Sequence, residues 1–216
     1  MCGRFINLTK INSIKKKFNI KNSITKDLLS YNISPMQNSC IIFKKKEINL
    51  AIARWGYTFL DKNDKQEKNV INSRLETINN KILFKESYFK RKCIIPLNGY
   101  YEWSLLDNEK TPFFIHIPPS EPMYLAAIWK YINFKKDNQK VFTIITKSAN
   151  SDINKIHHRM PVVLSFNEGE EYINDDKSLF LNSNFSSSVE SELDYYSVSK
   201  FVNNPLNNSI KCIKPN

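Results

Sequence analysis

The chain opens Met-Cys-Gly-Arg-Phe, and the second residue is the first place to look for chemistry. The small side chain after Met1 permits removal of that methionine. Cys2 would then carry a thiol of reference pKa ~8.5 and an α-amine of ~7.7–8.0, two nucleophiles that need little shift to react near neutral pH. A 1,2-aminothiol condenses with an aldehyde through its amine to a Schiff base, and sulfur attack then closes a five-membered thiazolidine. The same pair suits acyl transfer, with the amine as base for the thiol. Residue chemistry alone leaves both classes open.

Three further segments carry polar groups that such a nucleophile could use. In GYYEWS, Glu102 interrupts a run that otherwise reads as a strand, and alternation sends Tyr101 and Trp103 to the opposite face. A carboxylate in a partly apolar pocket holds its proton more tightly, which makes a general acid or tunes a nearby amine. An outward-facing acid on a half-buried sheet explains the same letter. NVINSRLETI gives Asn72, Arg74 and Glu76 the same-face spacing of an extended segment. Asn72 can donate and accept hydrogen bonds, Arg74 can bind phosphate, and Glu76 can hold Arg74 in place, although an exposed charged strand edge reads the same way. His157 and His158 adjoin Arg159 in IHHRMP, where a loop feeds a β-run. Either histidine can exchange protons beside an anionic substrate, and either can be a satisfied polar residue.

Composition narrows the partners. The formal charge of +11 favours a polyanion. Lysine supplies nearly all of it, in runs at 15–17 and 44–46 amid abundant Asn and Ile, so a single run reads equally well as solvated surface. Arginine occurs only at Arg4, Arg54, Arg74, Arg91 and Arg159. Where lysine so often serves for positive charge, an arginine marks a candidate for a site that needs the planar, bidentate fork. Cys40, Cys93 and Cys212 form no C-x-x-C pair with each other or with Cys2, so reduced structural thiols are expected and neither a metal site nor a cofactor is. No apolar run reaches the ~20 residues of a membrane span and no signal peptide is evident, which sets the expectation of a cytoplasmic protein with no membrane partner, nucleoid-associated if bacterial.

These residues need a scaffold. INSIKKKFNI spaces Ile11, Ile14 and Phe18 as one helical face, and LLSYNISPMQNS reads as an irregular loop. CIIFKKKEINLAIARWGYTF reads as two strands around a lysine-rich turn, LDKNDKQEKN as a surface loop, and NNKILFKESYFKRK as a second helix with Ile82, Leu83, Tyr88 and Phe89 only roughly periodic. From Cys93 onward β-prone runs dominate, with NEGEEYIND as a short helix and LDYYSVSKFV as a late strand. Helices are few and not interleaved with strands, so the expectation is one α+β domain with a curved, barrel-like, mostly antiparallel or mixed sheet and a few peripheral helices. It spans residues 2–202, followed by a poorly ordered tail, 203–216.

Taken in order, MCGRF, NVINSRLET, CIIPLNGYYEW, FTIITKSAN and IHHRMPVVLS resemble the SRAP family, the SOS-response-associated peptidases or abasic-site processing proteins. The resemblance runs from Cys2 to the late strand at 195–202. It implies recognition of abasic sites in single-stranded DNA, including junctions with duplex, and a DNA–protein crosslink through Cys2 after loss of Met1. It also implies that Asn72, Glu102 and His157 are the polar residues of that chemistry, with Asn72 orienting the aminothiol, Glu102 near the amine and His157 protonating the sugar ring oxygen. His157 is preferred to His158 only through the motif. A lyase-type β-elimination from the Schiff base is implied as a side reaction.

Beside this stand inferences from position. Arg4, Arg74 and Arg159 lie close in sequence to Cys2, Asn72 and His157 and are expected on flanking phosphates, joined by Lys147. Trp55, Pro35 and Met36 are expected to splay or cap bases, Thr146 to shape the pocket, and Glu76 to support an arginine. A monomer is expected. Two other readings stay open: a Cys2-dependent thiol peptidase or amidase, including self-removal of Met1, and a non-catalytic single-stranded DNA-binding module. The basic balance counts against the first, since peptides do not call for it.

Overall fold

A computed structural model describes residues 2–61, 63, 65–106, 108–118, 122–134, 137–176 and 180–216. Its strands are β1 Arg4–Asn7, β2 Ser30–Ile33, β3 Asn38–Lys44, β4 Ile48–Trp55, β5 Tyr57–Leu60, β6 Glu67–Val70, β7 Asn72–Arg74 and β8 Lys92–Leu97. They continue with β9 Gly99–Leu106, β10 Glu109–His116, β11 Met123–Phe134, β12 Asp137–Ser148, β13 Arg159–Pro161, β14 Val163–Leu164 and β15 Asp194–Ser197. The helices are α1 Ile11–Lys17, α2 Ile82–Lys90 and α3 Phe166–Asn174. The α+β expectation holds.

Five strands close on themselves. β12 pairs in parallel with β4, which runs antiparallel to β3; β3 pairs with β8, β8 with β11, and β11 returns to β12. Closure removes free edges from these strands, and the pleat then sorts their side chains into an inside and an outside. Ile41, Phe43, Ala53, Ile95, Leu125, Ala127, Phe142 and Ile144 fill one core; Cys40, Ile42, Leu50, Ile94, Ala126, Ile128 and Ile145 alternate with them into a second core. Ile11, Ile14 and Phe18 of the α1 segment, Phe84 and Tyr88 of α2, and Tyr172 and Ile173 of α3 cover that second core.

The helices follow from their sequences with one adjustment. α3 begins in a capping box, in which Ser165 Oγ accepts the Glu168 N–H and the Glu168 carboxylate accepts the Ser165 N–H. In α2 the buried face is Phe84, Ser87 and Tyr88, while Ile82 is 96% exposed and Phe89 is also exposed. The Tyr57–Ser87 hydroxyl pair, 2.7 Å apart, explains why a serine belongs on the inner face.

A second sheet, in the order β15–β10–β9–β1–β2, packs Phe5, Tyr100 and Ile115 onto the barrel core and Ile6, Tyr101 and Phe114 onto a third, smaller cluster. Gly99 is required here: a Cβ would lie 2.4 Å from the Phe114 ring. Three expectations need correcting. LDKNDKQEKN, expected as a loop, ends in β6, which pairs antiparallel with β5. LLSYNISPMQNS supplies β2, whose Ile33 and Asn32 are buried, because β1 offers it a partner that composition could not reveal. Residues 203–216 are docked: Cys212 is fully buried, Asn32 donates to the carbonyls of Val202, Asn204 and Asn207, and Val198 bridges to Pro215.

Candidate active site

The site forms where the second sheet meets the barrel. β1 lies between β9 and β2, and its register sets Arg4 opposite Tyr101 and Phe5 opposite Tyr100, so the chain leading into β1 runs beside Glu102. From the barrel side, β12 holds two short strands at once. β7 pairs with it in parallel, Asn72 level with Ile144, and β13 pairs antiparallel, Arg159 level with Ser148. Asn72 and His157 therefore reach the seam from either side of one strand.

Cys2 is fully buried, and its carbonyl accepts a hydrogen bond from Asn72 Nδ2 at 2.8 Å. Asn72 Oδ1 is buried without a hydrogen-bond partner among the described residues, an acceptor in want of a donor. Burial, then the Glu102 carboxylate, pushes the Cys2 thiol well above its ordinary range. Glu102 is itself buried, 4% exposed, and accepts the Trp103 N–H at 3.2 Å. His157 Nδ1 lies 3.0 Å from the Arg159 backbone nitrogen and 3.2 Å from the Arg159 carbonyl oxygen, so the backbone two residues on orients the ring. Burial lowers the imidazole pKa below its usual value, partly offset by Glu102. Arg4, Glu102, Trp103, Lys110, His157 and Asn203 line a cavity of about 580 Å³. The four residues singled out for chemistry thus form a buried thiol beside an amide, a carboxylate and an imidazole, with cations on the cavity wall.

The sequence profile of the SOS response associated peptidase (SRAP) family matches residues 1–205. The chain belongs to the SRAP family. It is similar over 99% of both chains to the abasic site processing protein YoqW of Bacillus subtilis, at 32% identity across 222 residues. The abasic site processing protein YedK of Escherichia coli is 28% identical over 191 residues, covering 86% of this chain and 84% of that one. A solved protein structure from Bacteroides thetaiotaomicron has a TM-score of 0.78 at 20% identity over 100% of both chains, a likeness of fold.

In this SRAP chain the remaining candidates divide. Arg4 stands on the cavity wall, held by Asn32 Oδ1 at 2.8 Å and the Val202 carbonyl at 2.9 Å. Burial lowers its pKa from the ordinary guanidinium value. Arg74 is exposed and lines a neighbouring depression with Ser148, Asn150, Asn154 and His158. His158 stacks on His157 with ring centroids 4.3 Å apart but is exposed, whereas His157 is half-buried. Met36 is exposed and Pro35 half-buried, as an apolar platform requires.

Five expectations change. Glu76 holds Arg159, not Arg74, in a bidentate pair at 2.5 and 3.0 Å, and Arg159 also donates to the Thr146 carbonyl. Arg159 is therefore committed inside the protein and fixes the His157 loop. Lys147 is buried, with its ammonium on Glu190 at 2.5 Å and the Phe185 carbonyl at 2.7 Å, so it is withdrawn from any phosphate. Trp55 has no exposed surface to stack on a base; it packs on Phe5 and donates to the Ile71 carbonyl at 2.9 Å, steadying the entry to β7. Thr146 is likewise sealed, its hydroxyl donating to the Ser73 carbonyl at 3.3 Å.

Sequence reasoning overlooked Lys110 and Asn203 on the cavity wall. Asn203 accepts the Trp103 indole N–H at 2.9 Å, a contact across 100 residues with no local signal. It also overlooked the buried carboxylate of Glu190, which nothing local separates from its neighbours Glu192 and Asp194.

Proposed function

We propose that this SRAP chain captures abasic sites in single-stranded DNA, including those at junctions with duplex, by a covalent thiazolidine bond to Cys2 once Met1 has been removed. The observation that carries the reading is the 2.8 Å hydrogen bond from Asn72 to the Cys2 carbonyl, with the other end of the same amide left as a buried acceptor. An α-amine at Cys2 would answer it. The chain's relatives YoqW and YedK, abasic site processing proteins, supply the substrate class.

His157 gives a proton to the sugar ring oxygen while the anomeric hydroxyl loses one, opening the hemiacetal to the aldehyde. The Cys2 amine adds to that carbonyl carbon and water leaves, forming the imine, with Glu102 moving the proton that the nitrogen sheds. Sγ then bonds to the same carbon and its proton passes to nitrogen, closing the ring with net loss of one water. Asn72 orients the aminothiol throughout. Elimination of the 3′ phosphate from the imine competes with closure, which accounts for a lyase side activity. Arg4 and Arg74 meet flanking phosphates, Pro35 and Met36 cap a base, and Arg159, Thr146 and Glu76 hold the machinery in register.

The test compares an oligonucleotide carrying a true abasic site with one carrying its tetrahydrofuran analogue, which cannot open to an aldehyde. Covalent adduct with the first alone is the expected result. Equal adduct with both, or none with either, contradicts the proposal.

A further inference from the structure

Asn32 lies in β2 and is only 1% exposed. A buried amide is costly unless its hydrogen bonds are made, and Asn32 makes them with two separate parts of the chain. Its Nδ2 donates to the carbonyls of Val202 at 3.2 Å, Asn204 at 3.0 Å and Asn207 at 2.8 Å, which docks the segment after β15 onto β2. Its Oδ1 accepts from Arg4 Nη1 at 2.8 Å. The same Nη1 donates to the Val202 carbonyl at 2.9 Å, so Arg4, Asn32 and Val202 close a triangle.

Two features mark the triangle as more than a way to dock that segment. Both hydrogen bonds from the Arg4 side chain leave from Nη1, while its Nε is buried with no partner among the described residues. A guanidinium held by one nitrogen, with a buried donor unmet, is not what stability alone selects. Arg4 is also flanked by a second anchor of the same segment. Its Cζ lies 5.9 Å from the centre of the Trp103 ring, and the Trp103 indole N–H donates to Asn203 Oδ1 at 2.9 Å. Arg4, Trp103 and Asn203 line one cavity with Glu102 and His157, so the network that Asn32 ties together ends at the candidate active site.

We infer that Asn32 is a positioning residue for DNA binding: by holding Nη1 it leaves Nη2 of Arg4 to meet a phosphate at the cavity, and it couples that arginine to the docked segment 202–207. This role rests on the phosphate contact proposed above for Arg4. Asn32 itself touches no DNA.

The test uses Met1-processed full-length protein and single-stranded DNA carrying the tetrahydrofuran analogue, with affinity read by fluorescence anisotropy over a series of salt concentrations. Arg4→Ala should bind about tenfold more weakly, and its plot of log affinity against log salt should be shallower by about 0.7, the share of one phosphate on a single strand. Asn32→Ala should reproduce both changes, and the double variant should add nothing to Arg4→Ala. A purely structural role for Asn32 would instead weaken binding equally with or without Arg4 and leave the slope alone. If Asn32→Ala does not fold, Asn32→Asp, of the same shape, takes its place. Its carboxylate pairs with Arg4, withdraws that charge from the DNA and gives up the donations to the three carbonyls, so the same loss and the same slope are expected. Wild-type affinity and slope in the Asn32 variant, or losses that add in the double variant, would overturn the inference. Wild-type binding by Arg4→Ala would overturn it together with the phosphate contact of Arg4. Because the analogue cannot crosslink, wild-type protein that fails to capture a true abasic site sinks the covalent reading alone.

Discussion

At the scale of single residues, the seam presents a thiol in the environment that least favours its anion. A thiol buried beside a carboxylate stays protonated, which protects it from adventitious alkylation and oxidation. Cys40 follows the same rule with only the Asn7 amide donating to its sulfur: burial pushes its thiol up to about 12, and it should remain inert when Cys2 reacts. The lowered pKa of His157 has a signed consequence. In the proposed reaction the protonated ring opens the sugar, and that form accumulates only as pH falls below the ordinary histidine range, so the rate of capture at saturating DNA should gain an acid-side component there, and His157→Gln should remove it. A pH–rate series with both proteins checks this; identical acid limbs would contradict the assignment. Cys2 and Glu102 draw notice because each is conspicuous in its segment, whereas nothing local separates His157 from His158. The motif chose His157 over its neighbour, and exposure agrees with that choice, since His158 faces solvent.

At the scale of elements, β12 is the common rail. It carries β7 with Asn72 on one side and β13, next to His157, on the other, and two ion pairs lock the arrangement. Lys147 and Glu190 are both buried, so Lys147→Ala strands a carboxylate and should cost about 3–5 kcal/mol of stability by denaturant titration. The double change Lys147→Met with Glu190→Leu should recover most of that loss. A Lys147→Ala protein of normal stability but weakened DNA binding would restore the phosphate role that its burial denies. The Arg159 guanidinium holds the Glu76 carboxyl below its usual range. A carboxylate depressed in the folded state contributes stability above its unfolded pKa and loses it as pH falls through the folded value. Glu76→Gln should therefore cost about 1–2 kcal/mol at neutral pH, less than a fully buried pair because Glu76 is partly exposed, and the gap from wild type should close in acid. Here the sequence was least legible. Lysine and arginine read as charge available for phosphate, and nothing local in TKSAN or HHRMP says that the partner carboxylate lies 43 or 83 residues away. Trp55 misled similarly, since an indole suited to stacking on a base is equally suited to filling a barrel. β2 was hidden by the polar composition of a strand that draws its order from β1.

At the scale of the whole molecule, the closed barrel and the second sheet were legible in outline, because long β-prone runs after Cys93 outnumber the helices and do not alternate with them. The docking of residues 203–216 was not, since Cys212 and Asn207 act through contacts with β2 and its neighbours. The charge of +11 is carried mostly by lysines spread around the surface, while the site keeps Arg4, Arg74 and Lys110 at hand. Binding to undamaged single-stranded DNA should weaken steadily as salt rises and be largely indifferent to base sequence. A titration by fluorescence anisotropy at several salt concentrations checks this, and strong sequence preference would count against a backbone-led mode. No helix among the described residues is long and apolar enough to cross a membrane. The central claim concerns one covalent bond, and intact-mass spectrometry reads it directly. Met1-processed protein mixed with single-stranded DNA bearing one abasic site should appear at the summed mass of the two less one water, stable to heat, and Cys2→Ala should lose that stable species. Absence of the adduct from the wild-type protein, or its undiminished yield and stability in Cys2→Ala, would contradict the account.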